Sequence, residues 1–148
     1  MANPFLFTPM PVAASIAAGI AIPMIGRSAH AGFPSPADDF IEDVVDLNAQ
    51  LIPNPTATYL WRVVGDCMID AKVFHGDVIV VDRSIQPKHR HIVLAVVDGE
   101  PTVKRLVRRG GRLFFVNENR TLPPFTVNEG TEISVWGVVT WTLRDLAK

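Results

Sequence analysis

Tyr59-Leu60-Trp61-Arg62-Val63-Val64-Gly65-Asp66-Cys67-Met68-Ile69-Asp70 runs from an apolar strand straight into a tight loop. The first half is aromatic and β-branched, which suits a half-buried pleated strand. The second half carries glycine and two aspartates, which is turn chemistry. A nucleophile-type side chain, Cys67, therefore stands on a loop just past a strand. The same alternation of strand and turn continues downstream. Residues 58–64, 78–82, 91–97, 101–107, 112–116 and 132–142 read as strands, with turns at Gly76-Asp77, Asp98-Gly99 and Gly110-Gly111. Residues 94–104 read as a hairpin with Val97-Asp98-Gly99-Glu100 at its tip. Upstream, Ala37 to Leu51 reads as a helix. Acidic residues load its first turns, Phe40, Ile41, Val44, Val45 and Leu47 make an apolar stripe, and Pro53-Asn54-Pro55 ends it. The expected fold is mostly β: curled antiparallel sheets preceded by one short helix and an extended N-terminal arm.

The 148 residues suit one compact domain, and 48% hydrophobic with 20% charged residues excludes a disordered chain. A net charge of −1 gives no overall basic field for direct DNA binding. The one basic cluster, Lys104, Arg105, Arg108, Arg109 and Arg112, reads as the solvated end of a hairpin. A single cysteine excludes an internal disulfide and a cysteine metal cage, and it fits a reducing, cytoplasmic setting.

Residues 1–31 hold no acidic residue and one formally charged base, Arg27, and Pro4, Pro9, Pro11 and Pro23 interrupt them. The apolar run Val12–Ile22 is too short to span a bilayer. Ala29-His30-Ala31 has the small-x-small form of a signal cleavage site, but no basic residue precedes the apolar run, which speaks against export. An arm that lies on a partner, or on its own domain, fits better. Gly32-Phe33-Pro34-Ser35-Pro36 is stiff and extended, since each proline fixes its own φ and restricts its predecessor.

Alternation along Pro101-Thr102-Val103-Lys104-Arg105-Leu106 puts Thr102, Lys104 and Leu106 on one face and Val103, Arg105 and Val107 on the other. If the first face is the core, the Lys104 amine is buried. Burial disfavours an ammonium and makes a lysine fit to act as general base. A free thiol titrates near ~8.5 and a lysine near ~10.4, so in water the proton prefers the amine by roughly 2.6 kcal/mol. Desolvation opposes that ion pair. Either protonation pattern leaves a nucleophile beside a proton carrier, with the backbone N–H groups of Asp66 and Cys67 as candidate oxyanion donors.

The remaining candidates are weaker. His30, His75, His89 and His91 show no metal-ligand pattern and read as surface residues. Asp66 and Asp70 read as turn residues bonding their own backbone. Trp61, Trp136 and Trp141 read as core or interface. No phosphate-cradling glycine loop is present, and neither a metal nor a cofactor is implied.

Three segments resemble the UmuD branch of the LexA-like self-cleaving proteins. They are Ala31-Gly32-Phe33-Pro34-Ser35-Pro36-Ala37; Pro55-Thr56-Ala57-Thr58-Tyr59 with Gly65 to Asp70; and Val97-Asp98-Gly99-Glu100-Pro101-Thr102-Val103-Lys104-Arg105-Leu106. Gly76-Asp77-Val78-Ile79-Val80-Val81-Asp82 and Trp136-Gly137-Val138-Val139 also fit, so the likeness covers about residues 31–142. It implies a Ser/Lys-type dyad with Lys104 as base and Cys67 where the family has serine. The implied scissile bond is Ala31–Gly32, dividing the chain into an arm, 1–31, and a dyad-bearing dimerisation core, 32–148. It further implies cleavage stimulated by the RecA nucleoprotein filament, a homodimer, and a processed form that joins a UmuC-type subunit as accessory to a translesion polymerase in SOS mutagenesis. Three other readings stand beside it. One is an interaction module silenced by Cys67. Another is a LexA-type repressor, for which 31 Pro-interrupted residues are too few to hold the DNA-binding domain. The last is a membrane-bound signal peptidase, which needs an anchor this arm does not provide.

Overall fold

The structure, a computed structural model, describes residues 19–25 and 41–148. The described residues divide into two units, one ending at Pro53 and one running over residues 54–148.

In the first unit, β1 (Ala21–Ile25) pairs antiparallel with β2 (Ile41–Asp46), in the register Ala21↔Asp46 to Pro23↔Val44. Helix α1 (Leu47–Leu51) follows directly. Asp46 caps it, its carboxylate accepting from Asn48 N at 3.0 Å and Ala49 N at 3.4 Å. The helix expected over 37–51 is thus corrected: 41–46 is strand, only Leu47–Leu51 is helical, and 37–40 lie outside the described residues. Val44 and Val45 are β-branched, and a strand partner at Ala21–Ile25 lets the backbone pair instead of coil.

The second unit is built on a six-stranded antiparallel sheet. Its strands are β3 (Thr58–Arg62), β4 (Val78–Asp82), β5 (Ile92–Val97), β6 (Glu100–Arg109), β7 (Arg112–Val116) and β8 (Ile133–Leu143), in the order β3-β4-β8-β5-β6-β7. The expected strands are all present, with ends shifted by a few residues; the first stops at Arg62 rather than residue 64. Asp98 and Gly99 join β5 to β6 with φ of 48° and 85°, and Gly110-Gly111 join β6 to β7 with φ of 56° and 78°. Positive φ at both central residues is what a two-residue turn needs to match the strand twist. Register shifts at Val80/Val81 and Leu94/Ala95, both against β8, curl the sheet where the longest strand crosses it.

The sheet is packed on both faces. Val63, Met68, Ile79, Val81, Leu94 and Val103 belong to one buried cluster; Val93, Ala95, Leu106 and Val138 form another. Alternation along β5 separates the two, Val93 and Ala95 pointing opposite to Leu94. Trp61 and Trp136 meet edge-to-face at 5.2 Å against the first cluster, while Trp141 is exposed. Among the described residues no helix is long and apolar enough to cross a membrane.

Candidate active site

After β3 the chain is pinned by Val63 N donating to Asp77 O and Gly76 N donating to Val63 O, each at 2.8 Å. Gly65 then takes φ 90°, a conformation that costs other residues dearly. Its N–H donates to His75 Nδ1 at 3.1 Å. Met68, 1% exposed, plugs the loop into the core, and a 3-10 turn over Ile69–Ala71 carries the chain away. Cys67 is thereby held between a turned glycine and an anchored methionine.

Lys104 approaches from β6. Strand β7 pairs only with Arg105–Arg109, so the Val103 carbonyl lies on a stretch of β6 that β7 leaves uncovered. Cys67 Sγ donates to that carbonyl at 3.3 Å. Lys104 Nζ donates to the same oxygen at 3.3 Å, to Thr102 Oγ1 at 2.8 Å and to Cys67 Sγ at 3.7 Å. The lysine is 4% exposed, and its amine stands 4.9 Å from the centre of the Phe125 ring. Burial pushes the Lys104 pKa below the ordinary lysine value, and the neighbouring sulfur pulls against that shift. An amine so placed is prepared to accept a proton from the thiol beside it.

A groove of about 230 Å³ opens beside the sulfur, lined by Trp61, Arg62, Val64 and Gly65 on one side and Pro101, Thr102 and Val103 on the other. Its walls are one end of β3 and the uncovered stretch of β6, both extended backbone. A peptide in extended form fits between such walls.

With that geometry in view, comparison with known proteins decides the kinship. Residues 23–140 match the Peptidase S24-like family. Protein ImpA of Salmonella typhimurium is 43% identical over 123 residues, covering 82% of this chain and 83% of that protein. Protein MucA of Escherichia coli is 39% identical over 123 residues, covering 82% and 84%. The LexA repressor of Acidothermus cellulolyticus is 39% identical over 127 residues, which are 86% of this chain and 44% of the repressor. This chain belongs to the Peptidase S24-like family, the LexA/UmuD group.

Within this S24-like chain, the sequence-derived residues fall as follows. Cys67 and Lys104 meet. Ala31 and Gly32 lie outside the described residues, as does His30. Asp66 is exposed at the turn; the N–H groups of Asp66 and Cys67 make no hydrogen bond among the described residues. Asp70 corrects its expected role: its carboxylate accepts not from its own turn but from Arg120 N, at 2.9 Å. The histidines are also more engaged than expected. His75 and His89 are exposed yet accept from Gly65 N and Arg108 N, and the Nδ1 of the half-buried His91 is buried without a partner. The basic cluster splits: Arg108, Arg109 and Arg112 are solvated, but Lys104 is buried and Arg105 forms a two-pronged ion pair with Glu118.

Sequence reasoning missed Thr102 as the lysine's hydrogen-bond partner, although alternation had already put both on one face. It also missed the segment Glu118–Arg120, which holds the Cys67 loop. Glu118 N donates to Cys67 O at 2.9 Å, Asp70 N donates to Glu118 O at 2.8 Å, and Asn119 Nδ2 donates to Asp66 O at 2.7 Å. A polar loop between strands carries no periodic signal that would reveal such contacts. No group of three metal-ligating side chains occurs among the described residues.

Proposed function

We propose that this chain is a self-cleaving SOS mutagenesis protein that removes its own N-terminal arm through a Cys67/Lys104 dyad. The observation that carries the reading is the 3.7 Å approach of a 4%-exposed lysine amine to the thiol at the mouth of a groove. The scissile bond is Ala31–Gly32, between residues 1–31 and 32–148. Lys104 takes the Cys67 proton and Sγ adds to the Ala31 carbonyl carbon. The oxyanion accepts from the Asp66 and Cys67 N–H groups. The ammonium returns the proton to the departing Gly32 nitrogen, leaving a thioester that water then hydrolyses.

Kinship with ImpA, MucA and the LexA repressor supports the wider role. The RecA filament on single-stranded DNA stimulates cleavage. The processed chain dimerises and serves a UmuC-type polymerase subunit, without contacting DNA directly. Sulfur replaces the family's hydroxyl: it is the better nucleophile, but thiolate and ammonium must share a dry site.

The test is incubation of the purified chain from pH 7 to 10, with and without RecA filament, followed by product masses. Cutting at Ala31–Gly32 that rises with pH and vanishes in Lys104→Ala is the expected result. An intact chain that is cut once Cys67→Ser is introduced would make the protein an interaction module silenced by its cysteine.

A further inference from the structure

We infer that Asn119 is a positioning residue that turns the Asp66–Cys67 peptide so that the Cys67 N–H faces the groove. The inference rests on the self-cleavage reading above and assigns a part to a side chain outside the dyad.

Asn119 is 7% exposed although it lies in a polar loop, and both ends of its amide are in use. Oδ1 accepts from Thr121 N at 2.9 Å and from Thr121 Oγ1 at 2.7 Å, which fixes the amide's orientation. Nδ2 then donates to Asp66 O at 2.7 Å. That carbonyl belongs to the peptide unit whose N–H is that of Cys67. The chain holds no cis peptide among the described residues, so this N–H points opposite to the carbonyl, away from Asn119. Gly65, Cys67 and Met68 line the groove, and Asn119 does not. Asn119 instead lines a separate hollow with Asp70, Glu118 and Arg120.

The same segment fixes the next peptide, since Cys67 O accepts from Glu118 N. Glu118 in turn is tied to Arg105, the neighbour of Lys104 on β6. The nucleophile loop is therefore indexed to the base strand through residues 118 and 119. A donated hydrogen bond on Asp66 O also polarises the peptide and makes the Cys67 N–H a better donor to a developing oxyanion.

Asn119→Asp isolates the point, because it keeps the shape and the Oδ1 acceptor for Thr121 but replaces the donor to Asp66. Two reactions of Cys67 separate its roles. A peptide aldehyde copying residues 27–31 and ending in an alanine aldehyde adds the thiol across its C=O: an S–C bond forms, the proton passes to oxygen, and that oxygen stands where the oxyanion would. Iodoacetamide alkylates the same sulfur without needing an oxyanion site. Asn119→Asp is expected to weaken aldehyde capture roughly 10²-fold, the usual effect of losing one such donor, while alkylation stays within about threefold. Asn119→Ala repeats the pair of measurements without a buried carboxylate. Equal losses in both reactions, unchanged aldehyde capture, or no capture by the unaltered protein would each overturn the inference. Self-cleavage is scored separately: normal aldehyde discrimination in a chain that never cuts itself sinks the proposed function and leaves the role of Asn119 standing.

Discussion

Asp77, Asp82 and Lys104 are the charged side chains buried among the described residues of the β-rich unit, and the first and last of them are treated in opposite ways. Asp77, 2% exposed, is surrounded by donors. Its carboxylate accepts from Arg144 Nε at 2.7 Å, Arg144 Nη2 at 2.6 Å, Phe74 N at 2.9 Å and Thr142 Oγ1 at 3.2 Å. Lys104, 4% exposed, has among the described residues a hydroxyl, a shared carbonyl, a sulfur and the face of the Phe125 ring, but no anion. Arg144 and the other donors outweigh burial and hold the Asp77 pKa at about 2, whereas burial dominates at Lys104 and weakens its ammonium. One charge is kept by giving it partners; the other is made easy to lose by withholding them. A buried ion with full partners is architecture, and one left short of them is available for chemistry.

The sharpest way to break this comparison is to replace each group by a neutral one. Lys104→Met keeps the buried stem and removes the amine. Self-cleavage should fall by about 10³-fold, as expected for loss of a general base. Thermal stability at neutral pH should hold or rise slightly, because no ammonium remains to be desolvated. A rate within tenfold of the starting protein, measured by product masses over time, would remove the lysine from the mechanism. Asp77→Asn should do the reverse. It mismatches the donors of Phe74 and Arg144 and costs about 3 kcal/mol in denaturant unfolding, while cutting proceeds at its former rate wherever the chain stays folded.

Acid and base should separate the two groups as well. Asp77 has a folded-state pKa depressed from 3.8 to about 2, so its stabilisation is present above the ordinary value and lost as pH falls through about 2. Lys104 is depressed from 10.5, and the depressed group here is a base. Between its lowered pKa and the ordinary lysine value the unfolded chain binds more protons than the folded one. Stability from this group therefore rises with pH across that window, and the self-cleavage rate rises as the amine is freed. Lys104→Met should flatten both alkaline slopes and leave the acid limb untouched. An alkaline slope that survives the substitution would belong to another group.

Lys104 was the more legible of this pair in sequence. Strand alternation put Lys104 on the Thr102/Leu106 face, and the Asp98-Gly99 turn set its register; both are local rules of period two and turn chemistry. Asp77 read as an ordinary Gly-Asp turn, because its partners Thr142 and Arg144 lie 65 and 67 residues away. Asn119 was silent for the same reason, its target Asp66 being 53 residues distant. The misread helix over 37–51 shows the other limit. Val44 and Val45 sit within an apolar stripe that fits helical spacing, and only the partner strand at Ala21–Ile25 decides between helix and sheet. Long-range pairing, not local preference, settled the strand over 41–46 and the partners of Asp77 and Asn119.

The smallest effect tests whether register or mere proximity makes the lysine functional. Gly99 sits at φ 85° in the β5–β6 turn, with nothing within 4 Å of where a Cβ would stand. Gly99→Ala therefore meets no steric contact and costs only the backbone preference, about 1 kcal/mol, which lowers the melting point by a few degrees. The ladder below the turn, Val97↔Glu100 through Ile92↔Arg105, is held by six residue pairs, including Val93↔Lys104. A shift by one residue would turn the lysine to the opposite face, and the buried Val93 and Leu106 resist it. The cleavage rate well below melting should accordingly be unchanged. A rate that fell with Gly99→Ala while the sheet stayed folded would show that the ladder slips, and that the partner-poor placement setting Lys104 apart from Asp77 depends on a two-residue turn rather than on the core around it.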